Sequence, residues 1–150
     1  VTMGAGAAPP VRGLRPVAAV APGVAAATGL SLQQLAAALV GQLHPAAVVC
    51  VDSLCSAEGQ RLGRTVQFSD TGLYPAQADH TRHLTRDTLG VPVVAAGIPT
   101  LMQAQEGADL VVTPRALDSV IAHGAALLAG SVNRALQPRL TVQQLCWLTG

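Results

Sequence analysis

The sequence predicts an α/β domain built on a mostly parallel sheet, and three apolar runs carry that prediction. They lie at Ala46–Val51, Thr65–Ser69 and Val91–Ala96, and each is closed by turn-forming or acidic residues: Asp52, Asp70-Thr71-Gly72, and Gly97 with Pro99. Continuous apolar runs bounded in this way suit strands buried on both faces of a parallel sheet. A helix-period stretch precedes the first run and another follows the last, the alternation that an α/β fold requires. In open parallel sheets, ligands and chemistry gather beyond the carboxyl ends of the strands. Asp52 and Asp70 are expected at two such ends, which makes them the candidate catalytic pair.

The 150 residues are enough for one domain with its own core. Half of them are hydrophobic but only 2% are aromatic, so the core must be assembled from Ala, Val and Leu. Charged residues make up 11%, every cation is Arg, and the net charge is +1, which argues against a nucleic-acid partner because that needs a clustered basic face. Cys50, Cys55 and Cys146 are an odd set without zinc spacing and read as reduced thiols of a cytoplasmic protein. Cys55, just past Asp52, is the one cysteine placed to act as a nucleophile; as a type, cysteine more often serves as a small buried hydrophobe.

Residues 1–13 are rich in Gly, Ala and Pro and read as a disordered lead-in to a domain over 14–150. Val17–Ala21 reads as a short strand closed by Pro22-Gly23. Arg12 and Arg15 before this run resemble the start of a signal peptide, but the strand and helix patterns that follow favour an internal element. The stretch from Arg15 to Asp52 holds no charge, yet Pro and Gly interrupt it before an apolar run of the ~18 residues that span a bilayer is reached. Ser31 with Gln34 forms a capping box, and Leu32, Leu35, Leu39 and Leu43 form an apolar stripe of a helix that Pro45 stops. With the strands on either side, this helix makes a right-handed βαβ unit.

Residues 55–64 form a short helix or a loop, and 71–90 a long polar loop of the kind that often carries function. Thr100 caps a short helix ending near Gly107, and Asp109–Val112 is a further strand. Thr113-Pro114 opens a helix to about Leu136 whose apolar face carries Leu117, Val120, Ile121, Leu127 and Leu128. Thr141–Leu148 is a last helix anchored by Trp147.

Asp52 is expected to be partly desolvated by the apolar residues before it, which suits a general acid or base. The alternative is an Asp that caps the segment after it. Asp70-Thr71-Gly72 is the tripeptide of all-β aspartic proteases, where two carboxylates share a proton. This chain alternates helices and strands, so that fold is excluded while Asp70 stays a candidate; as a turn residue it would instead bond backbone N–H groups. Asp79, His80 and His83 have a spacing that suits a metal, set against an ordinary solvated loop. No glycine-rich phosphate-binding signature is present, and no cofactor is indicated; a divalent metal is left open.

Several ordered motifs together resemble the germination protease family of spore-forming bacteria. They are Arg15-Pro16-Val17-Ala18-Ala19-Val20-Ala21-Pro22-Gly23-Val24, Val51-Asp52-Ser53-Leu54, Thr65-Val66-Gln67-Phe68-Ser69-Asp70-Thr71-Gly72, Leu84–Val93 and Gly97-Ile98-Pro99-Thr100. Val111-Val112-Thr113-Pro114 and Asn133-Arg134-Ala135-Leu136 continue the likeness, which covers about residues 14–137. The resemblance implies a three-layer α/β/α sandwich similar to hydrogenase-maturation endopeptidases. It implies an endopeptidase, of aspartic or metallo type, that is made as a zymogen, assembles as a tetramer and degrades small acid-soluble spore proteins in the spore core at germination. Asp52 matches the family's catalytic Asp-Ala-Leu-Ala aspartate, and Asp70 matches the aspartate of its Ser-Asp-Thr/Ser-Gly motif.

The family's other catalytic Asp belongs to a Thr-Pro-Asp-Ala-Leu-Gly-Pro motif for which this chain has no counterpart upstream of Arg15. A glycine-rich loop of the family is replaced by Tyr74–His80, and the segment before Val111 is shortened. The chain therefore resembles the C-terminal part of the family domain. Two further readings stand beside the peptidase: a diverged, non-catalytic remnant that needs a partner or oligomer, and a small-molecule-binding α/β domain that uses the loop after Asp70.

Overall fold

A computed structural model describes residues 13–23, 29–74, 83–103 and 111–149. Its elements run α1 (Leu32–Leu43), β1 (Val48–Ser56), a 3₁₀ turn (Gly59–Arg61), β2 (Gln67–Ser69), α2 (Arg86–Leu89), β3 (Val93–Gln103), β4 (Val111–Val112), α3 (Leu117–Leu136) and α4 (Val142–Thr149). The chain divides into two compact units, Pro22–Gly124 and the remainder on either side of it.

The larger unit bears out the α/β class. Its sheet is mixed: β1 and β3 run parallel over a long ladder, while β2 and β4 pair with β3 antiparallel over short ones. Pleat alternation puts Val93 and Ala95 on one face of β3, with Cys50 beside them on β1. These residues form the buried core with Leu73, Leu84 and Leu89, and α1 packs on it through Leu32, Ala36 and Val40. The stripe that faces the core is thus 32/36/40 and not 32/35/39/43, and Leu43 is exposed. On the other face, Ile98 meets Gly124 of α3 so closely that any Cβ on that glycine would overlap Ile98 Cδ1. A helix thus meets each face, α1 over the core and α3 at Ile98, while Val49, Val51, Phe68 and Val94 on the second face stay exposed.

Local chemistry explains the ends of α1. Ser31 Oγ accepts the Gln34 N–H at 3.2 Å, and Gln34 Oε1 accepts the Ser31 N–H at 2.9 Å, so the predicted capping box is complete. At the other end His44 turns left-handed (φ 46°) and donates its N–H to the Val40 carbonyl, and Pro45 follows. Pro99 sits fully buried within β3, an unusual place for proline. The even-numbered residues of β3 bond to β1, so the missing N–H of Pro99 faces the β2 side, beyond the last β2 pairing at Gly97. Its carbonyl accepts the Gly63 N–H at 2.7 Å, so no ladder bond is lost there. Gly72 (φ 108°) lies so near the Leu84 carbonyl that a Cβ would overlap it, and Leu73 and Leu84 pair in an antiparallel bridge.

The smaller unit contains the later part of α3 and α4. Leu128 and Leu140 are buried in it. The Arg134 guanidinium donates to the Leu140 and Pro138 carbonyls, holding the turn between the helices. Thr141 and Gln144 likewise form a capping box at the start of α4.

Several expectations are corrected. Val17–Ala21 is not a strand: these residues pair with no strand among the described residues, and just before them the backbone of Arg15 exchanges two hydrogen bonds, both 2.9 Å, with the Gln137 side-chain amide. The βαβ unit therefore lacks its first strand. β1 does not stop at Val51 but continues to Ser56, and β3 continues through Gly97–Thr100 to Gln103. Thr100 is thus a buried strand residue and not a helix cap. Asp109 lies outside the described residues, and the strand is confined to Val111–Val112. Helix α3 begins at Leu117, later than Thr113-Pro114 suggests, and Ile121 and Leu127 are exposed while Gly124 and Leu128 are buried. The side chain of Trp147 and the 1–12 lead-in lie outside the described residues.

Candidate active site

Asp52 occupies the middle of β1, opposite Gly97 of β3. Across β3, Gly97 also pairs with Gln67 of β2, so Asp52, Gly97 and Gln67 form one row on the face that α1 covers farther along. Cys50, Ala95 and Ser69 form the next row. Two strand spacings set the Asp52 and Gln67 backbones about 10 Å apart across Gly97, and Leu54 and the Asp52 carbonyl fill the space over that glycine. A Cβ on Gly97 would run into the Asp52 carbonyl and sit 2.7 Å from Leu54 Cγ.

The Asp52 carboxylate is exposed, contrary to the expected partial burial. β1 is an edge strand, so the apolar run before Asp52 does not imply a dry surrounding. Oδ1 accepts the N–H of Ser53 at 2.7 Å, a local bond that holds the carboxylate against the outer edge of the strand. Two residues back on the same face, burial pushes the Cys50 thiol above its ordinary value of 9.0, and the Asp52 charge adds to the effect. Cys50 is a protonated core residue at neutral pH, and Cys55 is an exposed thiol beyond the register shift at Leu54/Cys55.

Asp70 is not brought to Asp52. β2 runs antiparallel, so its end lies toward the start of β3: Ser69 pairs with Ala95, two residues before Gly97. Two strand spacings and this offset put the Asp70 backbone on the order of 12 Å or more from Asp52. The turn at Asp70 is held by other groups. Ser69 Oγ lies 2.7 Å from Thr71 Oγ1 and accepts the Thr71 N–H at 3.2 Å, and the Tyr74 hydroxyl donates to the Thr71 carbonyl. Asp70 itself points to solvent.

His83 stacks edge-on against Tyr74, with ring centroids 5.0 Å apart. Asp79 and His80, its companions in the metal-like spacing, lie outside the described residues. Among the described residues no three His, Cys, Asp or Glu side chains gather as a metal site. No described helix is long and apolar enough to cross a membrane. Nothing in the sequence marks Gln67 and Gly97 as neighbours of Asp52; only the register of β3 with both flanking strands brings them there.

Comparison with known proteins agrees with the motif resemblance. Residues 10–106 match the family model described as germination protease, peptidase family A25. The germination protease of Clostridium perfringens is 29% identical over 180 aligned residues, covering 88% of this chain and 55% of that protein. That of Halalkalibacterium halodurans is 38% identical over 113 residues, covering 74% of this chain and 29% of its own length. That of Bacillus velezensis is 33% identical over 129 residues, with 84% and 34% covered. The chain thus spans about half, or less, of the curated relatives it matches. With a matching family model over well above half of its residues, the chain belongs to the germination protease family.

Proposed function

We propose that the chain is the part of a germination endopeptidase that carries the Asp52 side of the active site. Asp52 would act as general base, taking a proton from water as the water oxygen bonds to the peptide carbonyl carbon. The same carboxyl would return that proton to the amine as the C–N bond breaks. The observation that carries the reading is an exposed carboxylate at the middle of β1, on the family-matched motif of a chain in a peptidase family. In this reading the substrates are small acid-soluble spore proteins, the setting is the cytoplasm of the germinating spore, the enzyme is a homo-oligomer matured from a zymogen, and no cofactor is used. Asp70 has a supporting place at the far end of β2, contacting substrate and not sharing a proton with Asp52.

The second reading is a chain without activity of its own. The separation of Asp52 from Asp70 favours it, because an acid–base division of labour needs two groups within hydrogen-bond reach of the reacting bond. Incubating the purified chain with an acid-soluble spore protein, followed by mass spectrometry of the products, separates the two. Discrete fragments support the peptidase; an intact substrate beside a folded chain supports the second reading.

A further inference from the structure

Charge is divided unevenly between the two units. The smaller one, residues 1–21 and 125–150, holds Arg12, Arg15, Arg134 and Arg139 and neither Asp nor Glu, and all eight acids lie in the larger one. The smaller unit also contains a cavity of about 240 Å³, lined by Gly13–Arg15 and Gln137–Leu140. Gln137 commits both ends of its amide to the Arg15 backbone: Oε1 accepts the N–H and Nε2 donates to the carbonyl, each at 2.9 Å. Arg134 donates to the Pro138 and Leu140 carbonyls at 3.0 and 2.6 Å, so these acceptors are already met by a cation. The guanidiniums of Arg15 and Arg139 are left. Both residues are exposed, and neither side chain meets a carboxylate among the described residues. A stripe of cations would track a nucleic-acid backbone; two arginines that share one small cavity suit a single small anion instead.

We propose that the cavity lined by Arg15 and Arg139 binds a small phosphate-bearing anion, either free phosphate or a short phosphomonoester. Each guanidinium presents a planar fork of donors that matches phosphate oxygens in two parallel bonds. Two forks at one cavity oppose the charge of about −1.5 to −2 that a phosphate monoester carries near neutral pH. The volume sets the size of the ligand: it is smaller than the about 300–1,000 Å³ of clefts that enclose drug-sized molecules, which suits a small anion and not a nucleotide. Held by both arginines, the anion adds a second tie to the Gln137–Arg15 pair, which joins segments 122 residues apart, so binding stabilises this unit. The inference is independent of Asp52, which belongs to the larger unit.

The intact chain, isotope-labelled at its arginine nitrogens, is titrated in phosphate-free buffer with inorganic phosphate, glycerol phosphate or acetate. Sodium chloride holds the ionic strength constant, and the guanidinium N–H signals are followed by NMR. The Arg15 and Arg139 signals are identified by their loss in Arg15→Gln and Arg139→Gln. Their saturable shift, with a Kd on the order of millimolar, is expected with one or both phosphates and not with acetate, whose single carboxylate fills one fork. The tighter of the two phosphates tells a free ion from an ester. Each single variant is expected to weaken binding about fivefold and the double variant to remove it, with circular dichroism confirming the fold, while Arg64→Gln in the larger unit leaves binding unchanged. Shifts that stay linear to high phosphate, that acetate reproduces, or that Arg64→Gln weakens as much as Arg139→Gln does overturn the proposal. So does undiminished phosphate binding by a folded double variant.

Discussion

Replacing Gly97 by Ala tests the close approach of β1 and β3 beside Asp52. The added Cβ would sit 2.7 and 3.0 Å from Leu54 Cγ and Cδ1 and closer still to the Asp52 carbonyl, where about 3.5–4.0 Å is comfortable for carbon atoms. The obstacle includes backbone, so relief requires the two strands to part at the Asp52/Gly97 pair. Overpacking of this kind costs about 3 kcal/mol, and the lower entropy of the unfolded alanine chain offsets up to ~1 of it. The net of about 2 kcal/mol lowers the midpoint of a thermal unfolding curve by about 4–8 °C at this chain size. Gly124→Ala is the matched control. Its Cβ meets the ethyl end of Ile98, overlapping Cδ1 and lying 3.4 Å from Cγ1, and the rotamer cost of moving that end is balanced by the ~1 kcal/mol that Ala gains over Gly inside a helix. Circular dichroism melts of the three proteins decide the matter. A Gly97→Ala midpoint equal to wild type, or a Gly124→Ala protein less stable than Gly97→Ala, would refute the described packing.

Two further outcomes are expected. Because burial, and then Asp52, hold the Cys50 thiol protonated in the folded chain, the unfolded chain loses that proton first as pH rises. The stability tied to this proton is whole below about pH 9 and falls as pH climbs beyond it, and a melting series from neutral to strongly alkaline pH should show Cys50→Ala losing part of that decline relative to wild type. Ser31→Ala removes one half of the α1 capping box and should lower stability by about 1 kcal/mol in urea unfolding, whereas Ser31→Asn or Ser31→Asp should restore most of it.

The fold was legible where a local rule decides it. Ser31 and Gln34 mark the start of α1, His44-Pro45 its end, and the apolar runs at 48–51 and 93–96 are strands because β-branched and small residues crowd there. What the sequence hid depends on tertiary context. Ser53–Ser56 carry little apolar signal, yet β1 continues through them because β3 offers a ladder on one side. The direction of a strand as short as Gln67–Ser69 is set by its connections and not by its residues, so the antiparallel β2 that separates Asp70 from Asp52 could not be read beforehand. Pro99 and Thr100 read as a turn and a cap because Pro usually ends a strand; here the missing N–H falls where β2 has already ended. Asp52 was found from its apolar run and from the family motif. Its exposure was not, because nothing in the run distinguishes an edge strand from a central one.

Asp52 is the residue proposed to carry peptide hydrolysis. Its most direct test is the kcat/KM for an acid-soluble spore protein of the wild-type chain against Asp52→Asn, with Asp70→Asn alongside and the fold of each checked by circular dichroism. On this proposal Asp52→Asn, which keeps the shape but not the base, loses activity by about 100-fold or more, while Asp70→Asn loses markedly less. Equal rates for wild type and a folded Asp52→Asn chain would contradict it.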